Sequence, residues 1–108
     1  MKKRTRNPMV AFFEVGSKPR LRPISTDPGY IRKVLGGWYV ETQVSPDWLL
    51  IRPKETDTNS GWKVAGRAVM GDFILAKTDY RGTIVSADEA DWDDILVLTG
   101  MREEFSLI

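Results

Sequence analysis

Between Trp38 and Val44 the side chains alternate. Trp38, Val40, Thr42 and Val44 fall on one side of an extended chain, and Tyr39, Glu41 and Gln43 on the other. A period of two predicts a β-strand. The turn Ser45-Pro46-Asp47 sends the chain back through Trp48-Leu49-Leu50-Ile51. This return strand is apolar without a break, the pattern of a strand covered on both faces. Upstream, residues 9–15 (MVAFFEV) predict a first strand closed by Gly16-Ser17-Lys18-Pro19. Residues 20–24 (RLRPI) alternate like a strand, and Pro23 assigns them to an edge because it cannot donate to a ladder. Downstream, residues 62–65 and 72–77 predict strands punctuated by Gly66 and Gly71. Residues 54–61 (KETDTNSG) hold no apolar side chain and predict a loop, and Thr83-Ile84-Val85 predicts a last strand after the turn at 79–82.

Two stretches switch to helical spacing. Ser25-Thr26-Asp27 offers capping oxygens, Pro28 suits a first helical position, and Ile31, Val34 and Leu35 recur on one face before Gly36-Gly37. Ser86 and Glu89 fit a capping box, Trp92, Ile95, Leu96 and Thr99 line one face, and Gly100 supplies a stop. Residues 101–108 predict a short final strand or packed tail. The expected architecture is a small single α+β domain over residues 9–108, with a mainly antiparallel sheet of about six strands and two helices. Residues 1–8 are expected to be a flexible basic N-terminal arm ahead of it.

Composition narrows the chemistry. The chain has 108 residues with neither His nor Cys. That removes thiol and imidazole nucleophiles, bases and metal ligands, so no cofactor, metal site or catalytic group is assigned and a non-enzymatic role is expected. The longest apolar run, residues 9–13, is too short to span a bilayer, and no signal-peptide pattern follows the basic start; a cytoplasmic protein without a membrane partner is expected. Net charge is +1, yet it is unevenly spread. Residues 1–35 carry nine basic and two acidic side chains, a local charge of +7, whereas residues 36–108 carry seven and thirteen, −6.

Several patterns invite a functional reading, each with a plain structural alternative. Residues 61–68 have the glycine spacing of a phosphate loop, but Arg67 and Ala68 stand where Lys and a hydroxyl are needed. Asp57 to Gly61 approaches a calcium loop, with the glycine one place early and Ala68 at the twelfth position. Asp88, Glu89, Asp91, Asp93 and Asp94 crowd the start of the last helix, where the helix dipole alone favours acids. With Trp92 they also make a candidate surface for a basic partner protein. Lys2, Lys3, Arg4, Arg6, Arg20, Arg22, Arg32 and Lys33 are candidates for nucleic-acid contact. Trp62, Arg67 and Tyr80 are candidates for stacking and pairing with a small ligand or nucleotide, although aromatics on strands are more often core.

Residues 31–44 (IRKVLGGWYVETQV), then WLLIRPKE and GRAVMGDFILAK, carry a Leu-Gly-Gly-aromatic-x-Glu … Gly-Arg-x-x-x-Gly-Asp signature. Over residues 21–87 the chain resembles a family of small uncharacterised phage and mobile-element proteins. Its Asn-x-x-Ala element is replaced here by Arg67-Ala68. The resemblance implies an accessory protein acting inside a bacterial cell, and it implies no catalytic residues. The leading expectation is a protein that binds and modulates a host protein or protein complex, as a counter-defence or host-takeover inhibitor. A nucleic-acid-binding protein (DNA or RNA) using the basic N-terminal region, and a small-ligand or nucleotide-binding domain, stand as alternatives.

Overall fold

The computed structural model describes residues 7–100. The basic residues at 1–6 and the tail at 101–108 lie outside the described residues. In chain order the elements are β1 (Met9–Phe13), β2 (Arg20–Pro23), α1 (Pro28–Leu35), β3 (Tyr39–Ser45), β4 (Trp48–Pro53), β5 (Asn59–Val64), β6 (Arg67–Met70), β7 (Phe73–Thr78) and β8 (Ile84–Val85). A 3-10 turn (Glu89–Asp91) then leads into α2 (Trp92–Thr99).

The main sheet is antiparallel in the order β2-β1-β7-β4-β3. β8 joins it at the end of β7, through the pairs Lys77↔Val85 and Thr78↔Ile84, on the side that β1 leaves free. These six strands and two helices are the α+β domain the periodicity predicts. β5 and β6 form a separate two-stranded hairpin.

The three central strands are apolar on both faces because two layers cover them. Val10, Phe12, Ile51, Ile74 and Ala76 pack with Ile31 and Leu35 of α1. Ala11, Phe13, Trp48, Leu50, Phe73 and Leu75 pack with Ile95 of α2 and with Val64 and Val69 of the hairpin. On this second side Phe13 stacks on Phe73 with ring centroids 4.5 Å apart, and Trp62 meets Phe13 edge-on at 4.9 Å. The unbroken run in β4 therefore serves two cores, as its pattern indicates.

α1 is built as its sequence predicts. Asp27 accepts the Tyr30 amide, Pro28 occupies the first turn, and Gly36 closes the helix in the left-handed region at φ 82. Four expectations need correction. The capping box before α2 is made by Asp88 and Asp91, not by Ser86 and Glu89. Ser86 is still extended and tied to the sheet: its Oγ accepts the Met9 amide at 3.0 Å, and the Ala87 amide donates to the Met9 carbonyl. The loop at 54–61 ends early, because Asn59, Ser60 and Gly61 belong to β5 across a bulge. Ser60 fits there by bonding the backbone itself, donating to the Val69 carbonyl and accepting the Trp62 amide. Residues 67–70 are a strand of their own. Trp38 precedes β3, is 70% exposed and lies under Arg32 of α1, so it leaves the row of Val40, Thr42 and Val44, in which Val44 packs on the core and Thr42 is exposed.

Candidate functional site

The acidic segment divides into structural and exposed carboxylates. Asp88 accepts the Ala90 amide at 2.9 Å and donates its own amide to Asp91 Oδ2 at 2.8 Å. Asp91 is buried, and its Oδ1 receives the Lys77 ammonium at 3.0 Å, which ties the start of α2 to β7. Burial alone would raise the Asp91 pKa. The Asp88 amide and the Lys77 ammonium together outweigh it and hold the carboxyl below its ordinary value. The Lys77 pKa is raised, chiefly by its hydrogen bond to Asp91. Asp91 is thus a clamp inside the fold, while Glu89, Asp93 and Asp94 are exposed.

Trp92 is half-buried, and it does not stand alone. It lines a cleft of about 690 Å³ with Leu96 of α2, Ser60 and Trp62 of β5, and residues 16–19 of the β1–β2 turn. The elements explain the meeting. The hairpin and α2 cover the same face of the sheet, and the Ala65 amide donates to the Leu98 carbonyl at 2.9 Å, holding the two side by side. Trp62 is braced by Phe13, and Leu96 follows Trp92 by one helical turn. The cleft walls are aromatic and aliphatic, and Lys18 is the ionisable side chain among the lining residues. Such a surface can desolvate an apolar or flat group. It offers no acid–base pair.

The other candidates are placed as follows. Lys2, Lys3, Arg4 and Arg6 lie outside the described residues. Arg20 and Arg22 set their guanidinium groups over the Phe12 ring at 5.7 and 4.8 Å, and Arg20 also pairs with Glu14 at 3.4 Å. Arg32 covers Trp38 at 4.7 Å, and Lys33 is exposed beside it on α1. These four cations share the α1 side of the sheet. Trp62, Arg67 and Tyr80 are not brought together: Trp62 belongs to the cleft with Trp92, and Arg67 lines a separate groove with Arg52 between the hairpin and β3–β4. Tyr80 is 90% exposed in the β7–β8 turn beside Arg81. Among the described residues no three carboxylates gather in a way that could hold a metal ion, and no helix is long and apolar enough to cross a membrane.

In the sequence Trp62 and Trp92 belong to different candidate surfaces, and nothing there marks Lys18, Pro19, Ser60 and Leu96 as site residues. The half-exposed Trp92–Leu96 pair at the margin of a helix face was the available signal. That the hairpin folds over the same side of the sheet has no local signature. Comparison of the chain with protein-family models, curated proteins and solved structures gave no match.

Proposed function

We propose that this chain is a non-enzymatic binding protein that modulates a host protein, with the Trp62–Trp92 cleft and the adjoining acidic start of α2 as its recognition surface. One observation carries the reading. Two half-buried tryptophans from separate elements wall a single open cleft, and Trp92 belongs to the first turn of the acidic helix α2, in which Asp93 and Asp94 are exposed. Protein interfaces concentrate their binding energy in aromatic anchors inside a polar rim, and tryptophan leads among such anchors. The fitting partner segment presents an apolar side chain to the tryptophans and Lys or Arg to the carboxylates. The resemblance over residues 21–87 supports the setting, a phage or mobile-element accessory protein in the bacterial cytoplasm.

Affinity capture from bacterial lysate, with and without nuclease, tests the reading. Wild type is expected to hold a protein that survives nuclease treatment, and Leu96→Glu and the double variant Glu89→Lys/Asp94→Lys to lose it. Equal capture by all three removes the surface assignment. A nucleic-acid alternative keeps one observation in its favour, the shared α1 side of Arg20, Arg22, Arg32 and Lys33. It predicts that all capture vanishes with nuclease and falls steeply with salt.

A further inference from the structure

The groove between the hairpin and β3–β4 departs from the hydrophobic pattern twice. Val64 pairs with Arg67 and Trp62 with Val69, so these four residues share the face of the hairpin that packs on the sheet. Val64 and Val69 are buried there, whereas Arg67 is exposed. Across the groove, Trp48, Leu50 and Arg52 alternate along β4 on one face of the sheet, the first two in the core. An arginine thus ends each inward row, at a place where the pattern alone calls for an apolar residue.

Both arginines line one groove of about 440 Å³, together with Thr42, Val44, Leu50 and Met70. No carboxylate lines it, and among the described residues neither arginine has an ion pair. Arg52 makes one long bond, 3.4 Å from Nη1 to the Pro53 carbonyl, and keeps its other donors. Glu41, the acid of β3, falls between Val40 and Thr42 and so belongs to the opposite face of the sheet. Two like charges at one groove repel. Such a breach of pattern is retained where a ligand supplies the opposite charge.

We infer that this groove binds an acidic segment of a partner protein. A Glu or Asp carboxylate is received by Arg52 and Arg67, and an aliphatic neighbour lies on Val44 and Met70. The forked donors of a guanidinium match the two oxygens of a carboxylate. The aliphatic walls select a peptide over a run of phosphates, and no aromatic ring lines the groove on which a nucleobase could stack. Its charge preference is opposite to that proposed for the Trp62–Trp92 cleft, on the other flank of the hairpin, so the two sites take different segments.

Fluorescence polarisation with a labelled peptide, Gly-Leu-Glu-Glu-Leu-Gly, tests the groove. Wild type is expected to bind it saturably below about 1 mM, and to bind the peptide with Gln for Glu about tenfold more weakly. Arg67→Gln and Arg52→Gln are each expected to lose about tenfold in affinity for the Glu peptide. Because Arg67 is exposed, Arg67→Gln is expected to keep the wild-type thermal midpoint. Arg67→Glu is expected to shift the preference towards a peptide with Lys for Glu. Lys63→Gln, on the outer face of the hairpin, and Leu96→Glu, in the cleft, are expected to bind the probe as wild type does. No saturable binding, equal affinity for the Glu and Gln peptides, or an equal loss in Lys63→Gln overturns the inference. A gain of affinity in Glu103→Gln/Glu104→Gln assigns the groove to residues 101–108 of this chain and overturns it too. The cleft is judged by the capture experiment with Leu96→Glu, so the two readings fail separately.

Discussion

At the scale of single residues, Asp91 shows how a surface feature of the sequence becomes an internal one. It stands in a run of carboxylates that reads as a solvated helix start, yet it alone is buried, capping Asp88 and meeting Lys77. Its consequence for stability has a definite sign. The folded pKa lies below the unfolded one, so the stabilisation is complete above about pH 4 and is lost as pH falls through the lower folded value. Lys77, with its pKa raised, contributes at and below neutral pH and loses its contribution as pH rises through its folded value. Asp91→Asn keeps the shape and removes the charge. Urea titration is expected to show a loss of about 1–2 kcal/mol at neutral pH and a flatter acid limb than wild type. Gly71 is a second residue set by its surroundings. It sits at φ 77, and a Cβ there would lie 2.9 Å from Pro53 Cγ and 3.0 Å from Thr56 Cγ2. Gly71→Ala is therefore expected to cost about 2 kcal/mol or more, read as a lower urea midpoint.

At the scale of elements, local chemistry was read well wherever an element is specified by its own residues. α1 carries its cap, its proline and its closing glycine in sequence, and β3–β4 carries its alternation and turn. The hairpin β5–β6 was only half legible. Its polar start uses a buried serine hydroxyl in place of a ladder bond, and its Ala65-Gly66 turn has both residues at positive φ, 51 and 82. That is the geometry of a type I′ turn, for which Asn-Gly is the recognisable dipeptide and Ala-Gly is not. The same fact yields a prediction. Ala65→Asn relieves an alanine in the left-handed region and is expected to raise stability by about 0.5–1 kcal/mol, seen as a higher thermal midpoint. The capping box shifted for a different reason: the Met9 bonds hold residues 86 and 87 to the sheet, a contact across most of the chain that no window of sequence contains.

At the scale of the whole molecule, the uneven charge is divided between the two faces only in part, since Lys18, Arg52 and Arg67 line clefts on the hairpin and α2 side. Arg20, Arg22, Arg32 and Lys33 lie on the α1 side, and Glu89, Asp93 and Asp94 on the α2 side. The candidate cleft was not legible because its walls come from a turn, a hairpin and a helix that only the sheet brings together. Trp62 and Trp92 were recognised singly, as an aromatic on a strand and one on a helix. Their meeting depends on both layers choosing the same face. If the cleft binds by desolvating its rings, a partner peptide with an apolar anchor is expected to shift tryptophan emission to shorter wavelength, with the shift reduced in Leu96→Glu.

The place of β1 in the sheet also governs the order in which the chain can fold. Met9 to Phe13 finds β2 close by in sequence, but its second neighbour, β7, and the residues that bind the Met9 backbone come from the far end of the domain. During synthesis the apolar face of β1 must wait uncovered until residues 73–87 have left the ribosome. Because so much of the ladder closes over long sequence separations, refolding is expected on the millisecond-to-second scale rather than in microseconds. In that interval, capture of the nascent N-terminal segment competes with folding.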